Sequence, residues 1–276
     1  MIAEIGGHRF EWGSRTYVMG IVNVTPDSFS GDGLGTDIDA AIEQGLRMVS
    51  EGADMLDVGG ESTRPGHVPV TAAEEIQRVD AVVRRLATGA GVPVSIDTYK
   101  EEVAERAIEG GATILNDVWG LTRSPAIADL AARHGCALVL MHNQEGTDYA
   151  GDLMEEIKRF LSVAAARARA AGVPREKVIL DPGIGFGKSY AQNYELLAKL
   201  PALAKLGYPL LVGPSRKGFI GAILASHGKP PAPDQRLWGT AATITASILF
   251  GAHIVRVHDV PEMLQVARVS DAFLAR

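Results

Sequence analysis

With a single cysteine, Cys136, the 276-residue chain has no internal disulfide to staple it. A thiol without a partner is ordinarily a small core residue in a reducing cytoplasm, and Cys136 is read that way. Positive charge is in short supply: 27 Lys and Arg face 33 Asp and Glu, a formal net charge of −6. Nucleic-acid binders favour a basic surface, so this balance argues against general nucleic-acid binding, though it says little about any one pocket. Long apolar runs are missing too. No stretch reaches the ~18 uninterrupted apolar residues of a membrane span. The longest candidate, around 240–250, is interrupted by Thr and Ser and reads as a buried helix. Residues 1–13 include Glu4, His8, Arg9 and Glu11 and no apolar core like that of a secretory leader. These absences predict a soluble cytoplasmic protein with neither a membrane nor a nucleic acid as partner. No composition break, low-complexity tract or short repeat divides the chain, so residues 1–276 are expected to form one domain.

What is present is a rhythm. Runs of strand character fall at 17–25, 55–60, 92–98, 112–118, 137–142, 178–183, 209–215 and 253–259. Helical patterns lie between and after them at 37–51, 71–86, 100–109, 124–134, 151–171, 193–200, 217–226, 235–250 and 261–274. In the first, Ile38, Ala41, Ile42, Gly45, Leu46 and Val49 recur at spacings of three and four, which makes one face apolar. Thr71 followed by Glu74 reads as a capping box, and Pro125 after Ser124 as a capped first turn. Most strand runs are continuously apolar, as in parallel strands packed under helices. Alternation through eight cycles admits a closed barrel or a doubly wound open sheet. The barrel is the better reading. The strand count is eight, polar residues end almost every strand, and no dinucleotide glycine fingerprint follows the first. The expected fold is therefore a single-domain α/β barrel of the (β/α)8 type, with 227–234 as a proline-rich surface loop.

If the barrel closes, the strand-end groups converge on one mouth, where such folds carry their chemistry. Asp97, Asn116 and Asp181 are the first set. An acid or amide at a strand end ordinarily caps a helix or ties a loop, but three together call for a donor-rich partner, because a buried carboxylate is costly alone. A flat heterocycle with several N–H groups is such a partner, and Lys217 adds a cation able to contact a ring carbonyl or nitrogen. Arg256 and His258 alternate along the last strand and point the same way; the plain alternative is an ion pair to Asp259 or another loop. With Asn23 at the end of the first strand, and Thr63 and Arg64 after the second, they suit a di- or triphosphate with a divalent ion. The loop at 25–33, rich in turn formers yet carrying Phe29, is either a mobile surface loop or a lid. The stretch 181–189 ends like a phosphate-binding Walker loop, but Pro182 stands where its first glycine is required. Phe186 there either walls an aromatic pocket or packs into its own loop. Nothing places His142, His258 and Cys136 together as a metal cluster.

Taken in order, seven stretches resemble the dihydropteroate synthase family of the folate pathway: 25–30 (TPDSFS), 57–66 (DVGGESTRPG), 95–98 (SIDT), 116–118 (NDV), 181–188 (DPGIGFGK), 215–217 (SRK) and 256–259 (RVHD). SIDT or NDV alone is weak; seven in order are highly specific. The resemblance implies a TIM barrel that condenses 6-hydroxymethyl-7,8-dihydropterin diphosphate with 4-aminobenzoate, releasing pyrophosphate. By position it implies that Asp97, Asn116, Asp181 and Lys217 hold the pterin, while Asn23 ligates Mg²⁺. Thr63, Arg256 and His258 would contact the diphosphate, and Arg64, Pro65, Phe29 and Phe186 the aminobenzoate. Lys217, Arg256, His258 and Asp97 would carry the catalysis, in a homodimer.

Three positions depart from the family pattern. Gly218 follows Lys217 where the family often has Ser, Gly31-Asp32-Gly33 follow Ser30 in place of Asp-Gly-Gly, and Asn143 follows His142 where many members have Met. Two other readings use the same barrel. A pterin-binding methyl-transfer domain would need neither TPDSFS, SRK nor RVHD. A catalytically silent pterin-binding paralogue has only Gly218 in its favour.

Overall fold

The structure, a computed structural model, describes residues 1–25, 38–62 and 68–274. It opens with an antiparallel hairpin, β1 (Ile2–Ile5) and β2 (His8–Glu11). Eight parallel strands follow: β3 (Tyr17–Asn23), β4 (Met55–Gly59), β5 (Val94–Asp97), β6 (Ile114–Asp117), β7 (Ala137–Met141), β8 (Val178–Asp181), β9 (Leu211–Val212) and β10 (Ile254–Val257). Their order is β8-β7-β6-β5-β4-β3-β10-β9. A parallel bridge from Leu180 to Leu210 joins the two ends, so the sheet curls into a nearly closed barrel. The expected eight-stranded barrel is the observed one.

Helices lie between and after the strands: α1 (Ile38–Ser50), α2 (Ala72–Gly89), α3 (Glu101–Glu109), α4 (Ala126–His134), α5 (Leu153–Ala171), α6 (Tyr190–Ala198), α7 (Pro201–Ala204), α8 (Gly218–Ile223), α9 (Leu237–Leu249) and α10 (Val260–Phe273). None among the described residues is long and apolar enough to cross a membrane. Local signals explain several starts. Thr71 Oγ1 accepts the Glu74 amide at 3.2 Å, but the Glu74 carboxylate turns to Arg78 at 2.6 Å, so only half of the expected box forms. Ser124 does not cap α4, whose cap position is Pro125 with no side-chain bond. A full capping box, not anticipated, sits at Ser189 and Gln192. The expected seven-residue strand at 209–215 shrinks to two paired residues, since Pro209 and Pro214 have no N–H for the ladder.

Period-two alternation divides the strand side chains between two cores. Val18, Val22, Leu56, Val58, Ile96, Leu115, Leu138 and Leu140 face the helices, in a core that also holds Cys136. Met19, Met55, Ile114, Ala137, Val139, Ile179, Leu211 and Ile254 cluster instead with Ala3, Ile5, Phe10, Trp12 and Tyr17. Five of these eight are the first residues of their strands, so the hairpin plugs the N-terminal end of the barrel. Its aromatic rings are in contact: Phe10 stacks on Trp12 at 5.4 Å and meets the edge of Tyr17 at 5.0 Å. Trp12 Nε1 donates to Glu176 O at 3.0 Å, which satisfies the one polar atom of the indole. Strand-end acids and amides are left at the opposite end.

Because Phe10 serves the plug and not the mouth, Phe10→Ala is expected to lower the unfolding free energy by about 3 kcal/mol. Urea denaturation measures that loss; ligand affinity at the far end should be unchanged.

Candidate active site

At the C-terminal end of the barrel one guanidinium joins three strands. Arg256 on β10 donates from Nε to Asp57 Oδ2 of β4 at 2.6 Å and from Nη2 to Asp97 Oδ2 of β5 at 3.0 Å. Asn116 Nδ2 of β6 donates to the same Asp57 oxygen at 2.9 Å. Register makes this possible: Gly59 pairs Asp97, and Asp97 pairs Asn116. The remaining oxygens, Asp57 Oδ1 and Asp97 Oδ1, are buried with no hydrogen-bond partner among the described residues. An unmet buried acceptor costs on the order of 1–3 kcal/mol, and a ligand that donates to it removes that penalty. Burial and the neighbouring Asp57 carboxylate push the Asp97 carboxyl well above the usual range, with Arg256 opposing them. Although burial disfavours charge on Arg256, Asp57 and Asp97 keep it charged.

A second group stands on β8 and β9. Asp181 ends β8, where its Oδ1 accepts the Gly183 amide at 2.7 Å, and burial raises its pKa while Lys217 opposes that rise. Lys217 immediately precedes α8; its Nζ donates to Ile184 O and lies 4.3 Å from the centre of the Phe186 ring. Burial pulls Lys217 down to about 7, against the pull of the Asp181 carboxylate. The loop between β8 and α6 leaves no room for a side chain here: Gly185 has φ +84°, and a Cβ on it would lie 2.5 Å from Lys217 Cδ.

Farther round the rim, Ser215 Oγ lies 3.0 Å from His258 Nδ1 and accepts the His258 amide at 3.2 Å. The plain alternative for Arg256, an ion pair with Asp259, is corrected: Asp259 pairs with Arg216, which the backbone holds at φ +59°. Asn23 ends β3 beside Gly59, with Asp97 on the other side: a Cβ on Gly59 would stand 3.9 Å from Asn23 Oδ1 and 3.7 Å from Asp97 Oδ2. No cluster of three or more His, Cys, Asp or Glu that could hold a metal occurs among the described residues. Phe29, Thr63, Arg64 and Pro65 lie outside the described residues.

The structure thus brings Asp97, Asn116 and Arg256 into one network and places Lys217 with Phe186, while Lys217 and Asp181 feel each other's charge. Sequence reasoning passed over Asp57, the fully buried carboxylate on which Arg256 and Asn116 converge. The signal was there: a charged residue in the middle of a strand whose other members are apolar or glycine. Lys188, buried with His142, was missed for another reason. The glycine-rich stretch drew attention as a failed phosphate loop, and a failed match says nothing of where its lysine points.

The profile of the family described as pterin binding enzyme matches residues 19–258. A dihydropteroate synthase of a Synechocystis species is 48% identical, over 97% of this chain and 93% of that protein. Among solved structures, the dihydropteroate synthase of Clostridium difficile, determined in the presence of pteroic acid, superposes with a TM-score of 0.92 at 49% identity, covering 97% of this chain and 100% of that one. The Xanthomonas albilineans enzyme with 4-aminobenzoic acid gives 0.92 at 41% identity, covering 100% and 98%.

Replacing Asp57 with Ala takes the acceptor from Asn116 Nδ2 and Arg256 Nε, leaving Arg256 with Asp97 alone. Equilibrium unfolding should record a loss of roughly 3 kcal/mol, and Asp57→Asn, which keeps an acceptor, should lose less.

Proposed function

Since the chain belongs to the pterin-binding enzyme family, we propose that it is a dihydropteroate synthase, joining 6-hydroxymethyl-7,8-dihydropterin diphosphate to 4-aminobenzoate with release of pyrophosphate. The observation that carries this reading is the pair of buried carboxylate oxygens, Asp57 Oδ1 and Asp97 Oδ1, beside Asn116, that lack a donor among the described residues. A pterin edge offers the N–H groups that those acceptors lack. A methyl-transfer domain is not favoured, because the relatives that align over nearly the whole chain are dihydropteroate synthases.

In this reading Asp97, Asn116 and Asp181 grip the pterin, and Lys217 contacts its ring from the Phe186 side. Arg256 and His258 receive the diphosphate, joined by Thr63. Arg64, Pro65, Phe29 and Phe186 take the aminobenzoate. Diphosphate leaves first, and a methylene carbocation remains, stabilised by the electron-rich pterin. The charged Arg256 stabilises the departing anion without having to reorganise, because Asp57 and Asp97 already fix its plane. The arylamine then attacks, and no enzyme nucleophile is needed. Asn23 offers a hard carboxamide oxygen beside Asp97, which fits Mg²⁺, an ion that keeps few protein ligands; when bound it would neutralise diphosphate oxygens. The reading extends to a cytoplasmic homodimer. Ile223, Leu224, Trp238, Leu249, Phe250, Val269 and Phe273, exposed on or beside α8, α9 and α10, support a face for a second copy.

Incubating the protein with pterin diphosphate and Mg²⁺, with and without 4-aminobenzoate, tests the activity. Pteroate and pyrophosphate should accumulate together; pterin binding with no pteroate under any condition would favour the silent paralogue. Arg256→Ala is expected to lower kcat roughly 100-fold while changing KM for aminobenzoate far less. The free enzyme also has a pH signature. Lys217 is charged below its pKa of about 7, so kcat/KM for the diphosphate should fall as pH rises through that value. Lys217→Met, uncharged at every pH, should be slow throughout and lack that falling limb.

A further inference from the structure

Lys188 is a buried charge to which the mechanism above gives no task. Only 7% of it is exposed. Its ammonium uses all three of its donors: Gly183 O at 3.0 Å, Phe186 O at 2.8 Å and His142 Nδ1 at 3.0 Å. No carboxylate among the described residues bonds it. Burying an ammonium against carbonyl dipoles and an imidazole is a poor arrangement for stability, and an apolar chain of similar length would fill the space without the desolvation cost. Burial depresses Lys188 to about 7, with Asp181 resisting and Lys217 assisting.

What Lys188 fastens is a glycine-rich loop that one turn, Phe186 N–H to Gly183 O at 3.0 Å, already folds back on itself. Gly183, Gly185 and Gly187 all sit at positive φ, at 71°, 84° and 55°. Other ties reach the Gly183 and Gly185 amides, from Asp181 and Asn193, and Gly187 O, from Tyr149. Among the described residues, Lys188 alone bonds the carbonyls of both Gly183 and Phe186, and it links them to His142 just beyond β7. On this same loop rests Lys217, bonded to Ile184 O and set over the Phe186 ring. The Lys217 stem occupies the space that a side chain at Gly185 would take, since a Cβ there would stand 2.5 Å from Lys217 Cδ.

We propose that Lys188 is a positioning residue for Lys217: by fastening Gly183 O and Phe186 O to His142, it fixes the loop on which Lys217 and Phe186 meet substrate. The inference rests on the synthase reading and deepens that site. His142, only 3% exposed and wedged against Phe160 at 4.8 Å, is the fixed post. A charged Lys188 can only donate, so toward it His142 Nδ1 serves as the acceptor, 3.0 Å away.

The test follows Lys217 itself in the ligand-free full chain, by ¹⁵N NMR of the lysine side chains, with its signal identified by its loss in Lys217→Arg. The groups whose charge bears on it are Asp181, Arg256 and Asp97, together with Lys188, which it repels in turn. Lys188→Met removes the fastening and the charge; His142→Phe removes one anchor and keeps the Lys188 charge. Both variants should move the Lys217 titration midpoint by at least one unit from its wild-type value and lower kcat at least tenfold. A midpoint that moves in Lys188→Met but stays put in His142→Phe would mean simple charge repulsion, and would overturn the proposal. An unmoved midpoint in both would overturn it as well. Should Lys188→Met fail to fold, His142→Phe decides alone. A wild-type protein that makes no pteroate would sink the synthase reading while leaving the NMR titration able to judge the positioning role.

Discussion

The rest of the site hangs on one guanidinium held between two carboxylates that would otherwise repel each other. Arg256 reaches across from β10 to Asp57 on β4 and Asp97 on β5, and Asn116 closes the set from β6. Three carbonyl-bearing side chains and one cation, all on strands, are fixed by the barrel's hydrogen-bond register and not by loops. The arrangement is costly on its own terms. Among the described residues it satisfies one oxygen of each carboxylate and leaves the other unmet, which is poor economy for a core but suitable for a site awaiting N–H donors.

A division of labour between the barrel's ends follows from the two-residue period of its strands. Inward-facing residues near the strand starts are apolar and pack on Phe10, Trp12 and Tyr17. Inward-facing groups at the strand ends are Asp, Asn and Arg. Stability is concentrated at one end and ligand chemistry at the other, so each can change with little effect on its neighbour. The glycine-rich loop after β8 belongs wholly to the second end, where its lack of Cβ atoms lets Lys217 lie against bare backbone.

Much of this could be read in the chain. Eight apolar runs closed by polar residues gave the barrel, and Asp97, Asn116, Asp181, Lys217 and Arg256 were visible as strand-end groups because burial makes such residues expensive. Other features needed coordinates. Asp57 hid inside a motif whose loop seemed the informative part, and Arg256 had a nearer acid in sequence, Asp259, that belongs in space to Arg216. Pairings across 199 residues, such as Arg256 with Asp57, are set by which strands become neighbours when the sheet closes. The hairpin at residues 2–11 was passed over because two four-residue strands of mixed polarity carry almost no periodic signal. Short α7 went unseen for the same reason, being a single turn behind Pro201.

The aromatic plug has a consequence for the order of events. With Phe10, Trp12 and Tyr17 sealing the floor, everything that enters or departs shares one doorway. Asp57 and Asn116, almost wholly enclosed, mark the innermost berth, and Phe186 stands nearer the threshold. Whatever occupies the inner berth must arrive before the outer is filled, and it is the last to be free to go. A cup whose floor these rings seal offers its inner berth only by way of the outer one.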